Sequence, residues 1–258
     1  MLSLGITGRS ESRQIHREQQ LCNDEHVPHV VATIAELWRY PVKGMRGERL
    51  HSVELDAHGI VGDRRWAVES SGAPRGKPML TGAERAAMLL YTASSAENKT
   101  CVVTPQGQKF SIHDPALLSD MQSYLPGGHT LTLRRSATPQ TDVRPVALLG
   151  RGSVQQLAQE LARPVDERRF RANVLLQLQT GFAEDLLTGR TLRLGLAATL
   201  RITERTPRCR VVTLDPDTAQ PDPQLMKHLD RVHEGRVGIY GTVLQLGTLR
   251  VGDRVVLE

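Results

Sequence analysis

Short β-branched runs, most of them cut off by a proline or a glycine, recur from Val30 to the end of the chain. The run 30–40 stops at Pro41, and 100–104 stops at Pro105. Further runs read as strands at 50–55, 66–68, 88–93, 131–133, 143–149, 168–178, 191–194 and 200–203. Residues 238–243 and 249–257 close the sequence as glycine-punctuated strands. Helical spacing recurs at only three places. Leu117, Leu118, Met121 and Leu125 follow Asp114-Pro115. Val154, Leu157, Ala158 and Leu161 follow Ser153, which with Gln156 fits a capping box, and Pro164 ends that helix. Leu225, Met226, Leu229 and Val232 follow Asp222-Pro223. A second capping box, Thr81 with Glu84, predicts a short helix or turn. Many short strands with few helices predict a mainly β (α+β) chain of two β-barrel-like domains.

At 258 residues the chain suits one large domain or two small ones. The polar, proline-bearing stretch 136–142 is the expected seam, giving domains over 30–140 and 141–258. Residues 1–29 are polar and mixed in charge without an apolar signal core, and are expected to be a disordered tail. Three widely spaced cysteines without a C-x-x-C argue against a disulfide framework or a zinc ribbon. They fit a reducing compartment, so a cytoplasmic protein is expected. No apolar run reaches the length of a membrane span.

Formal charge is +5, and arginine greatly outnumbers lysine. Arginine forks grip phosphate and carboxylate in a bidentate way, so an anionic partner is implied. Aromatic residues are only 3%, too few for the ring platforms on which nucleic-acid bases stack. A small phosphorylated ligand therefore fits as well.

Three stretches carry candidate chemistry. Cys209 stands between Arg208 and Arg210, and nearby cations favour a thiolate, which can act as nucleophile, redox sensor or soft metal ligand. The bland alternative is a buried, core-filling cysteine. Lys43-Gly44 lies on a glycine-punctuated loop where backbone and lysine could meet an anion. Read as a strand, 168–178 puts Phe170, Ala172 and Val174 on one face and Arg169, Arg171 and Asn173 on the other, a row of donors. Of Arg64 and Arg65, one is expected to face inward or into a cleft.

With these motifs in order, the chain resembles the MOSC (molybdenum cofactor sulfurase C-terminal) family with its N-terminal β-barrel domain, on the side of the amidoxime-reducing components. The resemblance rests on Tyr40-Pro41-Val42-Lys43, Gly62-Asp63-Arg64-Arg65-Trp66, Arg169-Phe170-Arg171-Ala172-Asn173, Arg208-Cys209 with Asp215-Pro216-Asp217-Thr218, and Val251-Gly252-Asp253-Arg254-Val255. It implies a molybdenum cofactor whose metal is ligated by Cys209. It implies Lys43, Arg64, Arg171 and Asn173 as cofactor-binding residues, with Thr81 and Arg208 beside them. Pyridoxal phosphate binding is attached to the family only as a general association. The implied activity is reduction of small N-hydroxylated compounds by a monomeric enzyme. With no cysteine cluster before Glu258, electrons are expected from a separate ferredoxin or flavoprotein. The alternative implied role is a cofactor or sulfur carrier that uses a Cys209 persulfide. Gly44, Ala219 and Pro207 depart from the family pattern, where a serine, a glycine and a hydroxyl residue are expected.

Overall fold

The computed structural model describes residues 29–73, 78–97, 99–123, 129–141 and 143–258. The tail expectation over 1–29 falls outside them except for His29, which opens the first strand. The first half runs β1 (His29–Arg39), β2 (Glu48–Leu50), β3 (Ser52–Asp56), β4 (Gly59–Ile60), β5 (Trp66–Ser70), β6 (Thr92–Ala96), β7 (Lys99–Val103), β8 (Lys109–Ser111), α1 (Pro115–Ser123) and β9 (Leu131–Arg135). The second runs β10 (Val146–Gly150), α2 (Arg151–Glu160), β11 (Val174–Gln177), β12 (Thr191–Leu194), β13 (Ala198–Pro207), α3 (Pro223–Val232), β14 (Arg236–Gln245), β15 (Gly247–Arg250) and β16 (Arg254–Leu257). The mainly β expectation holds.

Seven strands close into a barrel in the order β1-β11-β10-β14-β13-β12-β16, with β16 returning to β1. Closure removes the unpaired edges that an open sheet would present. β1 thus comes from the first half but pairs with two strands of the second, Thr33 with Gln177 on one side and Val30 with Val256 on the other. The barrel is packed with aliphatic side chains, Ile34, Leu148, Leu176, Leu200 and Ile239 among them, all essentially sealed from solvent. That follows from alternation, since every second residue of a barrel strand faces inward. The first half forms small sheets, β5-β9 and β6-β7-β8, around Val42, Met45, Met88, Val102 and Leu117. A third cluster, with Phe170, Val212, Leu225 and Leu229, lies beneath α2 and α3.

Four local expectations are corrected. Residues 168–178 are not one strand. Asp166 accepts a hydrogen bond from the Arg168 N–H and starts a 3-10 turn over Glu167–Phe170. Arg171 then takes the left-handed conformation (φ 50°), and only Val174–Gln177 pair as strand. The strand expected over 88–93 is instead a 3-10 turn, Ala86–Leu90, followed by β6. Ser153 does not cap α2. The helix begins at Arg151, and the buried Glu184 carboxylate accepts from both the Ser153 hydroxyl (2.7 Å) and the Gly150 N–H (3.1 Å). An acid from a distant loop thus satisfies donors left open at the helix start. β13 is longer than the stretch 200–203 and ends two residues before Cys209. The α1 and α3 expectations hold, with Pro115 and Pro223 in their first turns, while Leu125, counted with α1, lies outside the described residues.

The two helices of the second half are clasped at one point. Glu160 Oε2 lies 2.7 Å from the Nε2 atoms of both His228 and His233. Partial burial raises the pKa of Glu160, but hydrogen bonds from the two histidines and Gln156 together outweigh it and hold the carboxyl at about 2. A depressed folded-state pKa contributes stability above the ordinary value of 4.5, lost as pH falls from there towards 2. Acid titration of unfolding should therefore show a smaller loss over that interval for Glu160→Gln than for the unaltered chain.

Candidate cofactor site

A cavity of about 650 Å³ opens between loops of the first half and the 3-10 turns of the second. Among the described residues, six cations line it, Lys43, Arg64, Arg144, Arg169, Arg171 and Arg208, against one carboxylate, Glu84. Glu84 is already engaged, because Thr81 gives it both its N–H (3.0 Å) and its hydroxyl proton (2.5 Å). Arg64, Arg144 and Arg169 pair with Asp63, Glu204 and Asp215, so the hollow is less positive than its lining alone suggests, yet its excess of cations still suits an anion.

Cys209 stands at its wall. β13 delivers the chain, and Cys209 precedes a 3-10 turn, Arg210–Thr213. Its side chain is exposed, so the core-filling alternative does not hold for it; Cys101 is half-buried. Arg208 anchors this segment by donating to the carbonyls of Val237 (2.8 Å) and Phe170 (2.8 Å), its guanidinium over the Phe170 ring. Removal from water pulls Arg208 down to about 10, which still leaves it charged at neutral pH.

Tyr40 supports two of the lining arginines. Its buried ring is flanked by the guanidiniums of Arg64 (4.8 Å) and Arg171 (4.4 Å), and its hydroxyl donates to the Ala172 carbonyl. Cation–π contact with a desolvated ring fixes both forks. Burial pushes the Tyr40 phenol up to about 12 although cations flank it, so it stays protonated. Asp63, fully buried, accepts from the Tyr40 N–H (2.7 Å) and pairs with Arg64. Burial pulls Arg64 down, but the Asp63 carboxylate together with the nearby tyrosines outweighs it and holds Arg64 above its ordinary value. Arg64 is the inward arginine of its pair, while Arg65 donates to the Ser136 carbonyl. Asn173, buried beside Arg64, accepts from the Ala147 N–H (3.2 Å) and donates to the Trp38 carbonyl (3.3 Å). Much of its hydrogen-bonding capacity is thus spent on joining β1 and β10.

All seven residues singled out from the sequence, Lys43, Arg64, Thr81, Arg171, Asn173, Arg208 and Cys209, line this one cavity. Sequence reading passed over Tyr40 and Asp63 as site residues, although both lie in quoted motifs. It had no signal that an aspartate beside an arginine would be buried. It also missed how the Asp215 loop is held. Arg169 reaches the Thr213 carbonyl and Asp215, Arg168 forks onto Asp217, and Arg46 of the first half joins Asp217 and the Pro216 carbonyl.

Two of the departures from the family pattern have physical consequences. Gly44 sits at φ 84°, and a Cβ there would come 2.9 Å from the Leu80 carbonyl oxygen and 3.0 Å from Thr81 Cα. Serine would be strained at this position and crowd the wall next to Lys43. Ala219 bears a cost, being a non-glycine residue at φ 58°. Ala219→Gly should stabilise the fold by roughly 0.5–1 kcal/mol, read from the urea midpoint at unchanged slope.

Residues 136–256 match the family model described as the MOSC domain, and residues 31–142 match the MOSC N-terminal beta barrel domain. The chain belongs to the MOSC family. Among curated relatives, "Mitochondrial amidoxime reducing component 2" of Bos taurus is 23% identical over 87% of this chain and 83% of its own length. "Mitochondrial amidoxime-reducing component 1" of Mus musculus is 25% identical over 88% and 82%. Among solved structures, the YuaD protein of Bacillus subtilis covers 88% of this chain and 94% of its own at 15% identity, with a TM-score of 0.48. Among the described residues, no helix of this MOSC protein is long and apolar enough to cross a membrane.

Proposed function

We propose that this MOSC protein is a molybdenum-cofactor oxidoreductase that reduces small N-hydroxylated compounds to the corresponding N–H compounds, with electrons from a separate ferredoxin or flavoprotein. The observation that carries the reading is an exposed thiol on the wall of a cavity where, among the described residues, cations outnumber carboxylates six to one. That donor set fits the group: the forks of Arg64 and Arg171 suit a phosphate, and sulfur is a soft ligand for molybdenum. Lys43, Arg64, Arg171 and Asn173 would hold the pterin and its phosphate, and Cys209 would ligate the metal. When bound, the cofactor supplies two-electron reduction of an N–O bond; with two protons, the hydroxylated nitrogen becomes N–H and one water leaves.

The protein's own part is positioning. Tyr40 and Asp63 hold the arginines before any ligand arrives, so little ordering is left for the moment of binding. Arg208, bonded to two backbone carbonyls, fixes where the thiol points.

The test is expression in a host that makes the cofactor and is supplied with molybdate, then metal analysis and a benzamidoxime reduction assay with a chemical electron donor. Stoichiometric molybdenum with turnover is expected. Molybdenum without turnover of any N-hydroxy compound, together with a persulfide on Cys209 by mass spectrometry, would turn the reading into that of a carrier. Metal-free protein from such a host would overturn both.

A further inference from the structure

A second group of ligating side chains lies apart from the cavity, at the clasp between α2 and α3. Glu160 is the last residue of α2, His228 is in α3, and His233 directly follows it. Five residues apart on a continuous helix, the two imidazoles would diverge by well over a right angle. Here the helix stops at Val232, and His233 leaves helical geometry (φ −122°, ψ 19°). Its ring swings back to within 5.8 Å of His228, centroid to centroid. One nitrogen of each imidazole and a Glu160 oxygen all lie within 4.8 Å of one another.

We propose that Glu160, His228 and His233 form a site for a borderline divalent transition ion, zinc foremost, which clips α2 to α3. Two imidazoles and a carboxylate are a ligand set that zinc accepts, and a solvent-facing fourth position is what a three-ligand site leaves open. Calcium and magnesium prefer all-oxygen shells, so the two nitrogens select against them. Bonds of about 2.0–2.1 Å in a tetrahedral site set the donors roughly 3.3 Å apart. The present separation of 2.7 Å between each Nε2 and Glu160 Oε2 asks for a small retreat of the carboxylate, and the ligand atoms, already within 4.8 Å of one another, need shift by little more than a bond length to close on an ion.

Supporting contacts already orient the ligands, as metal sites require. Gln156 donates to the other Glu160 oxygen at 2.8 Å. The His233 ring stacks on Phe182 with centroids 4.0 Å apart and planes within 14°. Asp185, close enough to His233 to interact with it electrostatically, adds negative charge nearby. None of the three ligands lines the cavity beside Cys209. They lie behind it, since α3 packs through Leu225 and Leu229 in one cluster with Val212 of the turn that follows the cysteine.

The experiment is a Zn²⁺ titration of the metal-stripped full chain by calorimetry, with the histidine ring signals followed by NMR. One equivalent should bind, shift the His228 and His233 ring signals together, and raise the thermal midpoint by about 5–10 °C at a hundredfold excess over Kd. Glu160→Gln and His233→Ala should each weaken binding at least ~10-fold, while Cys209→Ala leaves this binding in place. Uptake that disappears with Cys209→Ala and survives the two clasp substitutions would overturn the assignment. So would ring signals of His228 and His233 that do not move in the unaltered protein, a readout that stands even if a variant fails to fold.

Discussion

Cys209→Ala is expected to leave a folded protein that has lost benzamidoxime reduction by ~100-fold or more and carries little molybdenum. Folding should be untouched because the side chain is exposed and no core cluster includes it. The backbone around it is held independently, by Arg208 on the Val237 and Phe170 carbonyls and by the Arg208 N–H on the Gly235 carbonyl (2.8 Å). Urea unfolding of the variant should therefore match the parent within about 0.5 kcal/mol while turnover collapses. Cys209→Ser is the sharper comparison, since it keeps the volume and replaces a soft donor with a hard one. Full activity in either variant would remove Cys209 from the chemistry.

Asp63→Ala should act in the opposite way, through the fold. Asp63 is sealed from solvent, pairs with Arg64 and accepts the Tyr40 N–H. Removing it strands a cation beside Asn173 and the Arg171 carbonyl and leaves a buried N–H without its acceptor. Breaking a buried pair by deleting one partner costs about 3–5 kcal/mol, a large share of the stability of a single domain. A fall of that size in the free energy of urea unfolding is the expected result. Since Arg64 is also part of the cavity wall, molybdenum content should fall with it. Asp63→Asn keeps the shape and the acceptor for the Tyr40 N–H but not the charge, so a smaller loss is expected from it. A change under about 1 kcal/mol in Asp63→Ala would mean that Arg64 finds water instead.

How far the sequence disclosed these features depended on the kind of signal each residue sent. β1, β7, β12 and the three helices could be read because alternation, helical spacing and proline placement are local. The stretch 168–178 misled for a local reason too. Its apolar residues alternate, but Asp166 and the left-handed Arg171 fold the first part into a turn. The donors Arg169, Arg171 and Asn173 still meet in one cavity, held there by Asp215, Tyr40 and the Trp38 carbonyl rather than by a shared strand face. Those partners are 46, 131 and 135 positions away, and no periodicity encodes such distances. Cys209 was found by its flanking arginines, yet its exposure is set by the end of β13 and the turn after it. The clasp of Glu160 with two histidines sent no signal, because its acid lies 68 residues from the nearer histidine.

The placement of β1 bears on any attempt to cut or shuffle this chain. A fragment carrying only residues 141–258 would hold six of seven staves, with β11 and β16 facing a gap that β1 fills in the intact molecule. Such a fragment would invite aggregation, or recruit an eleven-residue peptide copied from His29–Arg39 as a stand-in. Swapping the front half between homologues would likewise exchange a stave of the rear barrel, so chimaeras should keep His29–Arg39 with the rear half and exchange only the stretch between Arg39 and the seam near residue 140.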